Sequence, residues 1–256
     1  MGLIAVPFPD CWGVDTDQRL TEEQYVKLWT YDLRMVSAAC RRASPAAPVF
    51  PDFIGRYGPL YGNGVGNDLT AGELTVGAQT LQAAGRRGGI IMFQHVRAGA
   101  KVNGIDIGWI PTEQMGLEDA QTIVGYADAI GYSITYASDS DVGRVPHLIE
   151  DMENVKAGYY SLPMAQSWRD FVLAARRVQP AIYNGFNPGM SATQFGSLDV
   201  PICKDAGPRP PSPRAFVYGQ YESVDIPGIG KFDIAHARPD ATGATLVGIG
   251  WQAEAA

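Results

Sequence analysis

Four short stretches set an acidic side chain at or beside the end of a β-type run: Trp12-Gly-Val-Asp15, Leu148-Ile-Glu-Asp-Met-Glu153, Tyr218-Gly-Gln-Tyr-Glu222 and Lys231-Phe-Asp233. In a strand, side chains two apart share a face, so Asp151 and Glu153 should point the same way. Two carboxyls held close together cannot both ionise easily, and one keeps its proton at neutral pH as a general acid. Glu153, nearer the strand end, is the candidate acid. Asp151 is then the ionised partner, orienting a substrate group or supporting positive charge at an opening acetal carbon. Glu150 should face the opposite way, unless a shift of one residue in register makes it the inward group. Asp15 either joins this set or, with Asp17, caps a turn. Asp233 lies within a strand, where a carboxylate is disfavoured unless it meets a polar site. Acids gathered at a barrel mouth are the usual equipment for cutting a glycosidic bond.

Other chemistries find little support. His95 ends a β-type run, but His147 and His236 are not spaced with it as metal ligands, so no metal is expected. There is no Gly-x-Ser-x-Gly elbow, and Gly62-Asn-Gly-Val-Gly66 lacks the Lys-Ser/Thr of a phosphate loop, so no cofactor is expected. Cys11, Cys40 and Cys203 are few and far apart, which suits reduced thiols. A net charge of −7 without a basic run argues against nucleic acid as a partner. No stretch is apolar enough to enter a membrane as a span. The start, Met1-Gly-Leu-Ile-Ala-Val-Pro7, has no basic n-region, so a secretion signal is not expected, and Val6 replaces the Ser or Thr of a myristoylation site.

The elements that must position these acids alternate along the chain. Thr21 with Gln24, Thr70 with Glu73, and Ser191 with Gln194 have capping-box spacing. One helix should carry Tyr25, Leu28, Trp29, Leu33 and Val36 on a stripe. A second runs from Thr70 to about Gly85, a third starts near Leu117, and a fourth carries Trp168, Phe171, Val172, Ala175 and Val178. β-type runs at 12–15, 53–54, 89–96, 133–136, 148–152, 181–183, 216–218 and 232–235 number about eight. Eight short strands between helices predict a parallel sheet closed into an α/β, (β/α)8 TIM-type barrel, with thin or absent helices in its second half. A chain of 256 residues, 46% hydrophobic, suits one domain over 1–256, with its barrel core at about 12–237. Long loops at 58–68 and 97–115 should rise at the substrate rim. There Tyr57, Tyr61 and Trp109 either stack on sugar or pack loop against barrel.

Several short motifs together carry a family resemblance. Gly13-Val-Asp15, Phe53-Ile-Gly-Arg-Tyr57, Leu69-Thr-Ala-Gly-Glu-Leu74 and Ile91-Met-Phe-Gln94 resemble the glycoside-hydrolase-like barrels of actinobacteria and their phages. Gly116-Leu-Glu-Asp-Ala120, Ala181-Ile-Tyr-Asn-Gly185, Gly219-Gln-Tyr221 and Ile226-Pro-Gly-Ile-Gly-Lys-Phe-Asp233 extend it, and the last two resemble the closing strands of family 25 lysozymes. The resemblance implies a hydrolase of cell-wall peptidoglycan, with Glu153 as proton donor and Asp151, Asp15 and Asp233 completing the site. The candidate substrate-binding residues beside these acids are Arg56, Tyr57, Gln94, His95, Trp109, Tyr183 and Gln220. Departures are present: Thr-Asp-Gln follows Asp15 where the lysozymes have Ser-x-x-Gln/Asn, Glu150 is an extra acid, and Phe-Gln-His replaces Tyr-His-Phe. The alternative is a non-catalytic glycan-binding barrel in a phage tail or virion, as a homo-oligomer or part of a larger assembly. Without a leader, either protein would be carried on a virion, released at lysis, or stay in the cytoplasm. Direct attack by water, a covalent route and participation of a substrate acetamido group all remain open.

Overall fold

A computed structural model describes residues 2–8, 10–59, 67–86, 88–94, 101–102, 105–134, 145–205 and 216–252. In chain order the first half comprises β1 (Gly2–Phe8), β2 (Cys11–Thr16), α1 (Glu22–Trp29), α2 (Ala38–Ala43), β3 (Phe53–Tyr57), α3 (Ala71–Ala83) and β4 (Ile90–Gln94). A small antiparallel ribbon of β5 (Lys101–Val102) and β6 (Ile105–Asp106) precedes α4 (Glu113–Ile130). Then come β7 (His147–Met152), α5 (Leu162–Ala175), β8 (Gln179–Asn184), α6 (Ala192–Ser197) and β9 (Ile202–Lys204). The chain finishes with β10 (Tyr218–Ile226), β11 (Gly230–Ala237) and β12 (Leu246–Gln252).

Strands β2, β3, β4, β7, β8, β9, β10 and β11 form a closed ring in that order, with β11 pairing back to β2. The result is an α/β barrel with helices between strands, thinning after α5. It departs from the all-parallel expectation at one place: β11 is antiparallel to both β10 and β2. A turn at 227–229, closed by Ile229 N–H donating to the Ile226 carbonyl at 3.0 Å, leaves no room for the crossover that a parallel neighbour needs.

Some expected elements fall elsewhere. Ser133 and Ile134 are not in a strand, and Thr135 and Tyr136 lie outside the described residues. Ser133 N–H instead returns to the Ala127 carbonyl at the end of α4, and β9 supplies the missing barrel strand. The first helix stops at Trp29, because Asp32 caps a separate 3-10 turn, Leu33–Met35, and binds the Arg34 guanidinium at 2.7 Å. Helix α4 starts earlier than expected, at Glu113, with Thr112 accepting from Met115 N–H.

Alternation along the strands sorts side chains into two layers. Phe53, Ile91, Phe93, Ile149, Ala181 and Tyr218 fill the barrel interior. Ile54, Met92, Leu148 and Ile182 face outward onto Leu28, Leu74, Ile123 and Trp168 of the helices. Strands β1 and β12 lie outside the ring but pair with each other along their length and send Phe8 and Leu246 into the interior. Phe8 stacks on Phe53 with ring centroids 5.3 Å apart, so the two chain ends stopper the barrel below the site.

One buried ion pair ties the helices to the strand ends. Glu73 does not complete the expected capping box at Thr70. Its Oε1 accepts from Arg56 Nε (2.9 Å), the Tyr25 hydroxyl (3.1 Å) and Leu20 N–H (3.2 Å). Arg56 in turn donates to the carbonyls of Thr16 (2.7 Å) and Asn67 (3.0 Å). Arg56 therefore supports the end of β2 from outside the barrel, and its expected contact with substrate is corrected: the fully buried guanidinium points away from the interior. Removing one partner strands the other as a buried charge. Arg56→Met should lower the unfolding free energy by about 3–5 kcal/mol in urea titrations, with Arg56→Met/Glu73→Leu recovering most of that loss.

Candidate active site

At the end of the barrel opposite Phe8, a cavity of about 580 Å³ is lined by Asp15, Asp17, Tyr57, Asp151, Glu153 and Asp233, with the β10–β11 hairpin as one wall. Four acidic positions converge there: Asp15, Asp151 and Asp233 lie on the inward parity of their strands, and Glu153 continues that parity beyond β7. Asp15 and Asp233 are direct cross-strand partners in the β2–β11 ladder, which places two like charges side by side. Asp151 is inward on β7, and Glu153 stands one step further out, just past the strand end. Glu150 pairs in register with Gln94 on the helix-facing side, so the unshifted register holds.

Asp15 is held by donors and opposed by charge. It accepts from the Tyr218 hydroxyl and from Gln220 Nε2 at 3.0 and 3.1 Å. Burial, with Asp233 adding to it, nevertheless raises its pKa to about 7. Gln220 is fixed in turn by the Tyr183 hydroxyl, which donates to its Oε1 at 2.5 Å. Asp233 accepts from the Ser223 hydroxyl. Asp151 is buried, and burial pushes its pKa well up, with the Glu153 and Asp15 charges pushing the same way. That reverses part of the sequence reading, in which Asp151 stays ionised. The environment draws a proton to Asp151, beneath Glu153, so the pair resists carrying two charges.

Glu153 is positioned by its surroundings. Its Oε2 accepts from Phe186 N–H at 3.3 Å, and its main-chain carbonyl accepts from the Trp109 indole N–H at 2.8 Å. A side chain at position 185 would bring its Cβ to 2.3 Å from Glu153 Oε2 and 2.6 Å from Glu153 Cβ, so Gly185 leaves the room that Glu153 occupies.

The remaining candidates divide. Tyr57 lines the cavity, and Tyr183 and Gln220 reach it through Asp15. Gln94 does not: it is buried on the helix side, where its Oε1 accepts from the Trp168 indole at 3.1 Å. Trp109 is buried and pairs with Val155 as an isolated bridge, so it packs loop against barrel and presents no face to a ligand. His95 and Tyr61 lie outside the described residues. Glu222, at the end of the third acidic stretch, is turned outward by a bulge between Gln220 and Glu222, and caps the start of α2 through Ser37 Oγ (2.5 Å) and Ala39 N–H (2.9 Å). The same bulge brings Ser223 and Asp225 to the cavity. Tyr218, Ser223 and Gly185 were not singled out as site residues from sequence. Tyr218 had a usable signal, an aromatic with a hydroxyl two residues before Gln220 on one strand. Among the described residues, no group of three or more His, Cys, Asp and Glu side chains is arranged to hold a metal.

No protein-family profile and no curated protein matches the chain. Solved structures give weak similarity. The modular autolysin LytC from Streptococcus pneumoniae matches with a TM-score of 0.49 at 12% identity, covering 89% of this chain and 46% of LytC. The same autolysin in complex with a synthetic peptidoglycan ligand matches with a TM-score of 0.48 at 12% identity, over 89% and 46% of the two chains. A family 25 glycosyl hydrolase from Bacillus anthracis matches with a TM-score of 0.46 at 10% identity, over 90% and 89%. This chain thus spans less than half the length of LytC. Similarity at this level concerns the barrel alone.

The raised Asp15 pKa has a consequence for stability. The group ionises near pH 3.8 when unfolded and near 7 when folded. The unfolded chain therefore releases this proton first, and folding stability falls as pH rises between those values, by about 4 kcal/mol in all. Asp15→Asn is neutral throughout, so its melting temperature should exceed the parent's at pH 8, with the difference shrinking toward pH 4. A pH-independent difference would contradict the assignment.

Proposed function

We propose that this protein hydrolyses a glycosidic bond in cell-wall glycan, of the peptidoglycan class, by carboxylate general acid catalysis. The observation that carries the reading is that Asp15, Asp151, Glu153 and Asp233 line one cavity at the barrel mouth, where burial pushes two of them up. Glycoside hydrolysis needs a carboxyl that is protonated before the bond breaks and a carboxylate that meets the developing positive charge. The Asp151–Glu153 pair retains one proton at neutral pH, and Glu153, at its open side, delivers that proton to the leaving oxygen. Asp151 beneath it keeps the pair from ionising fully at neutral pH. Asp15 and Asp233, on the other wall, face the sugar ring as it turns cationic; Asp15 meets that charge in its deprotonated form, and Tyr218 and Gln220 keep it aimed. The choice of peptidoglycan is supported by the motif resemblance, which also supports a phage or actinobacterial setting, with delivery to the wall on a virion or at lysis.

Release of reducing ends from purified actinobacterial cell wall is the direct test. Glu153→Gln should keep the melting temperature and lose roughly 10²–10⁴-fold in rate. Equal rates would remove Glu153 from its role. Glycan binding without turnover by the unaltered protein would instead favour a non-catalytic recognition module. Gly185→Ala should reduce the rate by about 10-fold or more without unfolding the protein, because it displaces the Glu153 carboxyl.

A further inference from the structure

Beside the carboxylate cavity, the loops that follow β7 and β8 form a second cleft of about 640 Å³, lined by Tyr159, Tyr160, Phe186, Asn187 and Ser191 among others. Among the described residues, exposed large apolar side chains are few and mostly scattered. Three gather here: Tyr160 is 73% exposed, Phe186 62% and Tyr159 41%. Scattered exposure is ordinary, but clustered exposed aromatics in a cleft call for a ligand. The loops that carry them are tied together as an extension of the β7–β8 pairing. Asn154 and Val155 N–H donate to the Phe186 and Asn187 carbonyls at 2.7 and 3.0 Å, and Asn187 Nδ2 returns to the Val155 carbonyl at 2.5 Å. Ser161 fastens the far end, its N–H donating to Gly189 at 3.1 Å and its hydroxyl to Pro188 at 2.5 Å. The aromatics therefore sit on a preformed frame, and ordering them on binding carries little entropic penalty.

One hydrogen bond links the residues of this cleft to the carboxylate cavity. Phe186 N–H donates to Glu153 Oε2, while the Phe186 ring lines the cleft and a neighbouring depression beside Gly108 and Lys156. We propose that Tyr160 and Phe186, with Tyr159 behind them, stack on the apolar faces of sugar units beyond the one that Glu153 attacks, so that the site takes a polymeric strand and discriminates against short fragments. A sugar ring offers a C–H face to an aromatic ring and hydroxyl or amide edges to groups such as Asn187 and Ser191, a mixture this cleft provides. The proposal rests on the glycan reading above and adds to it the length of the substrate and the direction in which it runs.

Binding is measured in the full chain carrying Glu153→Gln, with a disaccharide and an octasaccharide of alternating N-acetylglucosamine and N-acetylmuramic acid. The octasaccharide should bind at least about 10-fold more tightly than the disaccharide. Tyr159→Ala/Tyr160→Ala should erase that advantage and leave disaccharide binding and the melting temperature unchanged. In the catalytically intact chain the same pair of substitutions should raise KM on octasaccharide and leave the rate on short fragments alone. Equal binding of the two sugars, or an octasaccharide advantage that survives the double substitution, overturns the proposal while leaving the hydrolase reading standing. If neither sugar binds and no reducing ends are released, the hydrolase reading fails and the platform falls with it.

Discussion

Carboxylates crowded at the mouth of a barrel repel one another, and burial makes each ionised form still less favourable. The rest of the structure is arranged around holding them there. Asp15 and Asp233 face each other across a ladder in which like charges would ordinarily be selected against, and Asp151 sits buried on β7, between β4 and β8. The closed ring prevents these groups from moving apart: β2 and β11 are hydrogen-bonded neighbours, so relief of the repulsion must come through protonation or through donors. Both are present, the first in the raised Asp15 and Asp151, the second in Tyr218, Gln220 and Ser223.

The scaffold below and around the site provides the rigidity that this requires. Phe8 and Leu246 occupy the far end of the barrel, so the chain termini contribute to its filling. Outside the ring, the Arg56–Glu73 pair joins β3, α1, α3 and the carbonyl of Thr16, the residue next to Asp15. An electrostatic strain inside the barrel is thus matched by a satisfied ion pair just outside it, and the two are separated by a single strand. Burial disfavours the charged form of Asp15, and the surrounding scaffold holds it in place against that cost.

The third acidic stretch and the antiparallel strand illustrate how small local events redirect function. Had β10 run without its bulge, Glu222 would have kept the parity of Gln220 and entered the cavity. The extra residue sends Glu222 to the start of α2 and brings Ser223 beneath Asp233. The tight turn before β11 likewise reverses one strand, so the last barrel aspartate reaches the rim at the beginning of its strand instead of the end.

Much was legible in the residues alone. Period-two spacing placed Asp151 and Glu153 on one face, capping spacing located the starts of α1 and α6, and eight β-type segments implied closure, because these signals are local and repeat over a few residues. Partner choice was not local. Whether Arg56 meets a ligand or Glu73, and whether Gln94 faces the lumen or Trp168, depends on which side of a strand meets which helix. Strand β9, short and flanked by a long connection, had too little periodicity to be distinguished from its surroundings, whereas Ser133–Ile134 had the composition of a strand, but Ser133 N–H returns to α4 and Ile134 N–H donates to the Arg177 carbonyl. The carboxylates, their types and their spacing within each segment were determined by sequence. Their common cavity, the raised pKa values of Asp15 and Asp151 and the aromatic cleft were decided by ring closure, since only folding brings groups so distant along the chain within range of each other's charge.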